Sequence, residues 1–240
     1  MRGNRARAAV LPCLAPTRTE PLLNTVRTFS SGEQLAVAGS MALLVLHAAV
    51  AAGQVPATAL ELRPGLAWRE PWRLLSAHLV HINTTHVLIN AAGWVLLARL
   101  FAPELAARTQ ALVLLAAALA VGAGLVLLHP AIAWYRGFSG VLHALFFAGA
   151  VQWLLAALRG ARTLRRLWLP ALLVAGGTVK VLVEQPAGSA TPYAQWLGAQ
   201  TVPQAHLFGA LAGVVVGLAS SAWAGDAAAA REREDSAREA

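Results

Sequence analysis

The sequence predicts an all-α membrane protein, a bundle of six membrane-spanning helices, and three observations carry that prediction. Hydrophobic residues make up 58% of the 240-residue chain and charged residues 12%, about half the charged share of an ordinary globular chain. The mean hydropathy is +0.58. The apolar residues gather into six runs of spanning length, about 20 residues each. Intrinsic disorder is excluded, because it needs low hydrophobicity and high charge. The single cysteine, Cys13, excludes a disulfide framework and a cysteine-based zinc site.

Residues 1–33 are basic and broken by Pro12, Pro16 and Pro21, and read as a disordered cytoplasmic tail. No long apolar core directly follows Arg2, Arg5 and Arg7, which argues against a cleaved signal peptide. The six runs fill residues 34–223: 34–52, 75–101, 109–128, 139–158, 167–184 and 203–223. Inside hydrocarbon every backbone amide must be satisfied within its own segment, so these runs are helices. The second carries His78, His81, His86 and Asn90, and Gly137-Phe138-Ser139-Gly140 opens the fourth. Residues 186–201 form a long loop rich in small residues, either a gate or a plain connection. Residues 224–240 read as a polar, frayed cytoplasmic tail.

The net charge of +8 would point to nucleic acid in a soluble domain. Here the excess sits in short flanks without interleaved aromatic residues, so we expect lipid headgroups and no nucleic-acid partner. With the N-terminus inside, fourteen arginines flank the helices on the cytoplasmic side and four, Arg63, Arg69, Arg73 and Arg136, lie opposite. By the positive-inside rule both termini are cytoplasmic. The second, fourth and sixth helices then all enter from outside, bringing His86, Asn90, Ser139 and His206 to similar depth near the outer face.

Ser139 stands in the first turn of a helix between glycines, where it can act as a nucleophile and first-turn amides can bind an oxyanion. Small residues and a membrane serine also serve plain helix packing. His206 adds weight, since an ionisable side chain inside a membrane helix marks a site by default. Gly209, Gly213 and Gly217 follow at four-residue spacing, a smooth stripe that lets the sixth helix approach the fourth closely. A neutral imidazole there can take the serine proton. His86 and Asn90, at i and i+4, share one helix face and can donate to an oxyanion. His81 and His86 could instead ligate a metal, but i,i+5 spacing sets them about 140° apart around a helix. We therefore expect no metal and no other cofactor.

Ser139 in G-x-S-G, His206 in H-x-x-G-x-x-x-G, His86/Asn90 in H-x-x-x-N and Trp72-Arg73 ahead of the second helix resemble the rhomboid intramembrane serine proteases, over nearly the whole hydrophobic chain. The resemblance implies a six-helix rhomboid-like bundle and a serine endopeptidase working through a Ser139–His206 dyad without a carboxylate. It further implies an oxyanion hole from His86, Asn90 and the Ser139 amide, with Gly137 stabilising substrate beside them. Glu184 is read as a partner of Lys180 at i,i+4. Where most of the family carries a tyrosine four residues after the nucleophile, this sequence has His143. That histidine, Val183-Glu184-Gln185 and Ala205-His206-Leu207-Phe208-Gly209 are similar to the rhombosortase branch. The branch implies substrates anchored in the membrane by a C-terminal tail of Gly-rich motif, transmembrane helix and basic end, in a bacterial inner membrane. Two other readings stay open: an inactive rhomboid-like protein that binds clients, and a small transporter or proton relay.

Overall fold

A computed structural model describes residues 28–160, 163–187, 194, 198 and 201–239, with the side chains of the last helix described as far as 223. Most of the expected basic tail, residues 1–27, and most of the 186–201 loop lie outside the described residues. The remainder is all-helical, with no strand among the described residues.

Helix α1 spans Ser31–Ala51. Ser30 caps it reciprocally, its hydroxyl accepting from Glu33 N at 3.2 Å while Ser30 N donates to the Glu33 carboxylate at 2.7 Å. The cap thus draws residues 31–33 out of the expected tail and into the helix. A folded segment follows, with α2 (Ala57–Leu60), a 3₁₀ turn (Pro64–Leu66) and α3 (Arg73–Ser76). Next come α4 (Thr84–Leu100), α5 (Ala107–Leu128), α6 (Ser139–Arg159), α7 (Leu164–Ala187) and α8 (Pro203–Glu239).

Two expectations change. The second run is not one continuous helix. It is divided between α3 and α4, and Asn83 restarts the chain by accepting from His86 N at 2.8 Å. Five helices are long and apolar enough to span a membrane, namely α1, α5, α6, α7 and the 203–223 part of α8. At 17 residues, α4 lies at the short end of the spanning range, about 17–25 residues. The second change is at the C-terminus, where α8 runs on to Glu239 through the segment expected to fray. Ala, Arg and Glu dominate residues 227–239, and these are strong helix formers.

Helix α6 is the hub, packed against α4, α5, α7 and α8. Its contact with α8 follows the glycine stripe. A Cβ on Gly217 would lie 3.0 Å from the Ala148 oxygen, and on Gly209 or Gly213 it would overlap the carbonyl of Gly140 or Ala144 outright. Backbone therefore meets backbone, as small residues permit in a membrane.

The two ends of the bundle are pinned differently. At one end Arg99 donates to Glu33 at 2.8 Å, Arg159 donates to Ser221 Oγ at 2.7 Å, and Arg108 sits over the Trp223 ring. At the other, buried Glu61 pairs with Arg63 at 2.7 Å and Arg136 at 2.5 Å. Buried Arg73 bonds Glu70 and donates to the carbonyls of Thr58 and Glu61 at 2.8 and 2.7 Å. Three of the four arginines assigned to the outer side thus brace the segment that precedes the site.

Candidate active site

The segment entering α6 is held before the nucleophile is reached. Leu62 and Tyr135 exchange backbone hydrogen bonds at 3.0 and 2.9 Å, and Gly137 N donates to the Ala77 carbonyl at 3.0 Å. Tyr135 Oη donates to the Gly137 carbonyl at 2.8 Å. Burial pushes the Tyr135 hydroxyl well above its ordinary pKa, so it remains a donor. Gly137 has φ +128°, a region that side-chain-bearing residues rarely adopt. A Cβ there would lie 2.6 Å from the His86 ring. Gly137 therefore supplies the turn and the seat for His86, while its own amide is engaged with Ala77.

Ser139 opens α6, which has no side-chain cap, so its first-turn amides are not taken up by a capping residue. A Cβ on Gly140 would lie 2.8 Å from the carbonyl oxygen of Ala205. That close crossing sets His206 against Ser139. The Nε2–Oγ distance is 3.0 Å between residues 67 apart in sequence, and His206 is buried.

His206 Nδ1 lies 2.9 Å from Glu184 Oε2. A carboxylate only accepts, so Nδ1 carries the proton and donates, leaving the Nε2 lone pair for the serine hydroxyl. The expected dyad is therefore joined by a carboxylate. Glu184 also keeps its expected ion pair with Lys180, at 2.8 Å. The Lys180 ammonium lies 2.5 Å from His143 Nε2, which must accept, and His143 Nδ1 donates to the Ser139 carbonyl at 2.8 Å. The rings of His143 and His206 stack, with centroids 4.1 Å apart and planes 16° off parallel.

His86, whose ring is seated at Gly137, and Asn90, four residues on along α4, hold buried nitrogens, Nδ1 and Nδ2, that make no hydrogen bond among the described residues. They are donors available to a bound group. His81 sits edge-on to His86, with centroids 5.1 Å apart. His78 is taken up by the Ala118 carbonyl at 3.1 Å. His143, Glu184 and His206 could each offer a metal-ligand atom, all within 4.8 Å of one another. The Lys180 ammonium already stands beside all three, and a like-charged ion cannot share that position.

Sequence reasoning passed over the role of Glu184, although one signal was present. Between Arg166 and Asp226, Lys180 and Glu184 are the only Asp, Glu, Lys or Arg residues. Ionisable residues inside a membrane segment are expensive and mark a site by default, but i,i+4 spacing alone could not reveal that Glu184 also meets His206 on α8.

A model of the Rhomboid domain matches residues 68–223, from the segment before α3 to the apolar end of α8. A search of curated proteins found no match. With well over half its length inside that match and an all-helical bundle of apolar helices around the site, the chain belongs to the rhomboid family, a family of serine intramembrane proteases.

Proposed function

We propose that this protein is an intramembrane serine endopeptidase with Ser139 as nucleophile and His206 as general base. The observation that carries the reading is the 3.0 Å contact between His206 Nε2 and Ser139 Oγ at a buried helix crossing. Ser139 Oγ bonds to the scissile carbonyl carbon while its proton passes to Nε2. The oxyanion is received by His86, Asn90 and the Ser139 amide, and losing one such donor costs about 10²–10³ in rate. The C–N bond then breaks as Nε2 returns the proton to the departing amine. Water, deprotonated by the same nitrogen, releases the acyl group and regenerates the serine.

The substrates of this reading are membrane-anchored proteins with a C-terminal Gly-rich sorting tail, as in the rhombosortase branch. An apolar cavity of about 350 Å³ between α4, α6 and α7 supports a membrane-embedded substrate. Leu97, Leu142, Phe146 and Phe147 line it, and His143 and Lys180 border it. The protein acts in a bacterial inner membrane with both termini cytoplasmic and the site near the outer face, an orientation supported by the arginine distribution. The test is co-expression with a reporter ending in a Gly-rich motif, a transmembrane helix and a basic end. Wild-type protein should release the trimmed reporter and Ser139→Ala should not. An untrimmed reporter beside a Ser139 that reacts with a fluorophosphonate would reject the sorting tail, and a Ser139 that does not react would favour an inactive client-binding protein.

A further inference from the structure

We infer that Glu184 is a positioning residue for His206, so that Ser139 is activated by a Ser–His–Glu triad whose carboxylate charge is balanced by Lys180. The inference rests on the serine-protease reading above and adds to it a group that the dyad description leaves out.

Four observations carry it. Glu184 Oε2 lies 2.9 Å from His206 Nδ1, and the two side chains are only 7% and 6% exposed. Ser139 Oγ contacts the other ring nitrogen at 3.0 Å, so carboxylate, imidazole and hydroxyl are in series. A carboxylate alone at such a place in a membrane protein would be expensive. Lys180, the only lysine in the chain, meets both of its oxygens, at 2.8 and 2.9 Å. Finally, the Lys180 ammonium and the Ser139 carbonyl clamp His143 from its two ring nitrogens, and His143 stacks on the face of His206. Glu184 thus fixes the in-plane rotation of the catalytic ring, and His143 supports its face.

The consequence follows the proton. As the Oγ–C bond forms, the serine proton moves to Nε2 and the imidazole becomes positive. The Nδ1–H bond to the Glu184 carboxylate, charge-assisted from the start, then joins two opposite charges and strengthens. The Nδ1 proton stays on the ring and Glu184 remains a carboxylate throughout. The same group holds the tautomer that leaves Nε2 free to accept, a function whose loss costs about 10⁴ in kcat where a buried carboxylate supports a Ser–His pair.

The test measures the rate at which a fluorophosphonate labels the full-length protein in membranes. Glu184→Gln should slow labelling by about 10²–10⁴-fold, with the thermal midpoint of the purified protein close to wild type. Glu184→Asp should label at least tenfold faster than Glu184→Gln, because the charge is restored. The decisive variant is Lys180→Met/Glu184→Gln. If Glu184 only neutralises Lys180, removing both charges restores labelling to at least the rate of His143→Ala, which marks the cost of losing the Lys180 clamp on His143. If it acts through His206, labelling stays as slow as in Glu184→Gln. Wild-type labelling in Glu184→Gln, or labelling of the double variant as fast as His143→Ala, would overturn the triad. Should Glu184→Gln alone fail to fold, the double variant, which buries no unpaired charge, decides in the same way. Ser139→Ala separates the two claims. A Ser139→Ala protein that labels like wild type overturns the serine-protease reading, whereas an unlabelled one beside a fast Glu184→Gln overturns only the triad.

Discussion

Ser139 and His206 come from helices joined only through a close crossing, and the chemistry available to one depends on the other. His206→Ala should lower substrate turnover as far as Ser139→Ala, and the double variant should be little worse than either. Groups that act as one unit are strongly non-additive, because either loss forfeits nucleophile activation. Steady-state rates of the three variants check this, and independent, additive losses would separate the two residues. His86→Ala and Asn90→Ala should each cost about 10²–10³ in turnover while Ser139 still labels, since both side chains hold buried polar nitrogens without a hydrogen-bond partner among the described residues. His143→Ala should slow the reaction without removing labelling, because its contacts are with the Ser139 carbonyl, Lys180 and the face of His206 rather than with the serine hydroxyl. The serine and its histidine could be singled out from spacing and helix direction, and the stacked neighbour, His143, from the resemblance to the rhomboid family. The carboxylate could not, because its contact with His206 joins residues 22 apart on different helices, whereas its i,i+4 pairing with Lys180 can be read within one helix.

At the scale of elements, the crossing of α6 and α8 sets the distance between nucleophile and base. Gly213 meets the Ala144 backbone directly, so Gly213→Leu should force the helices apart. Overpacking of this kind typically costs about 1–3 kcal/mol, and a displacement near 1 Å at a catalytic pair about 10²-fold in rate. A lowered thermal midpoint together with lost labelling is the expected result, and an unchanged midpoint would contradict the crossing. The glycine stripe was legible because four-residue spacing is a property of one helix. The break between α3 and α4 was less so. Residues 75–101 read as one apolar run although Asn83-Thr84-Thr85 interrupts it, and the spanning length outweighed the capping signal of Asn83, which the structure shows closing the first turn of α4. The extension of α8 was hidden for the opposite reason: its last residues are polar, and polarity was read as fraying although the residue types favour helix.

For the whole molecule, the arrangement of charges should be readable as topology. Arg99 with Glu33, Arg159 with Ser221 and Arg108 with Trp223 gather at one end of the bundle, and Glu61, Arg63, Arg73 and Arg136 gather at the end that carries Ser139. Fusion reporters placed after Arg166 and Ala240 should report cytoplasm, and one inserted near Ser189 should report the outside. A cytoplasmic signal at Ser189 would invert the site and remove the link to exported substrates. The composition together with the number and length of the apolar runs made the bundle legible. The brace around Glu61 was not, because its members are scattered from residue 61 to residue 136 and form only when the segment before α4 folds back on the entry to α6.

The most direct test of the account is the site of covalent modification by a fluorophosphonate, mapped by peptide mass spectrometry on protein in native membranes. An activated serine is predicted to give one adduct, on Ser139, and the adduct should disappear in His206→Ala. Folded wild-type protein with no adduct on Ser139, or an adduct that forms at the wild-type rate without His206, would contradict the account.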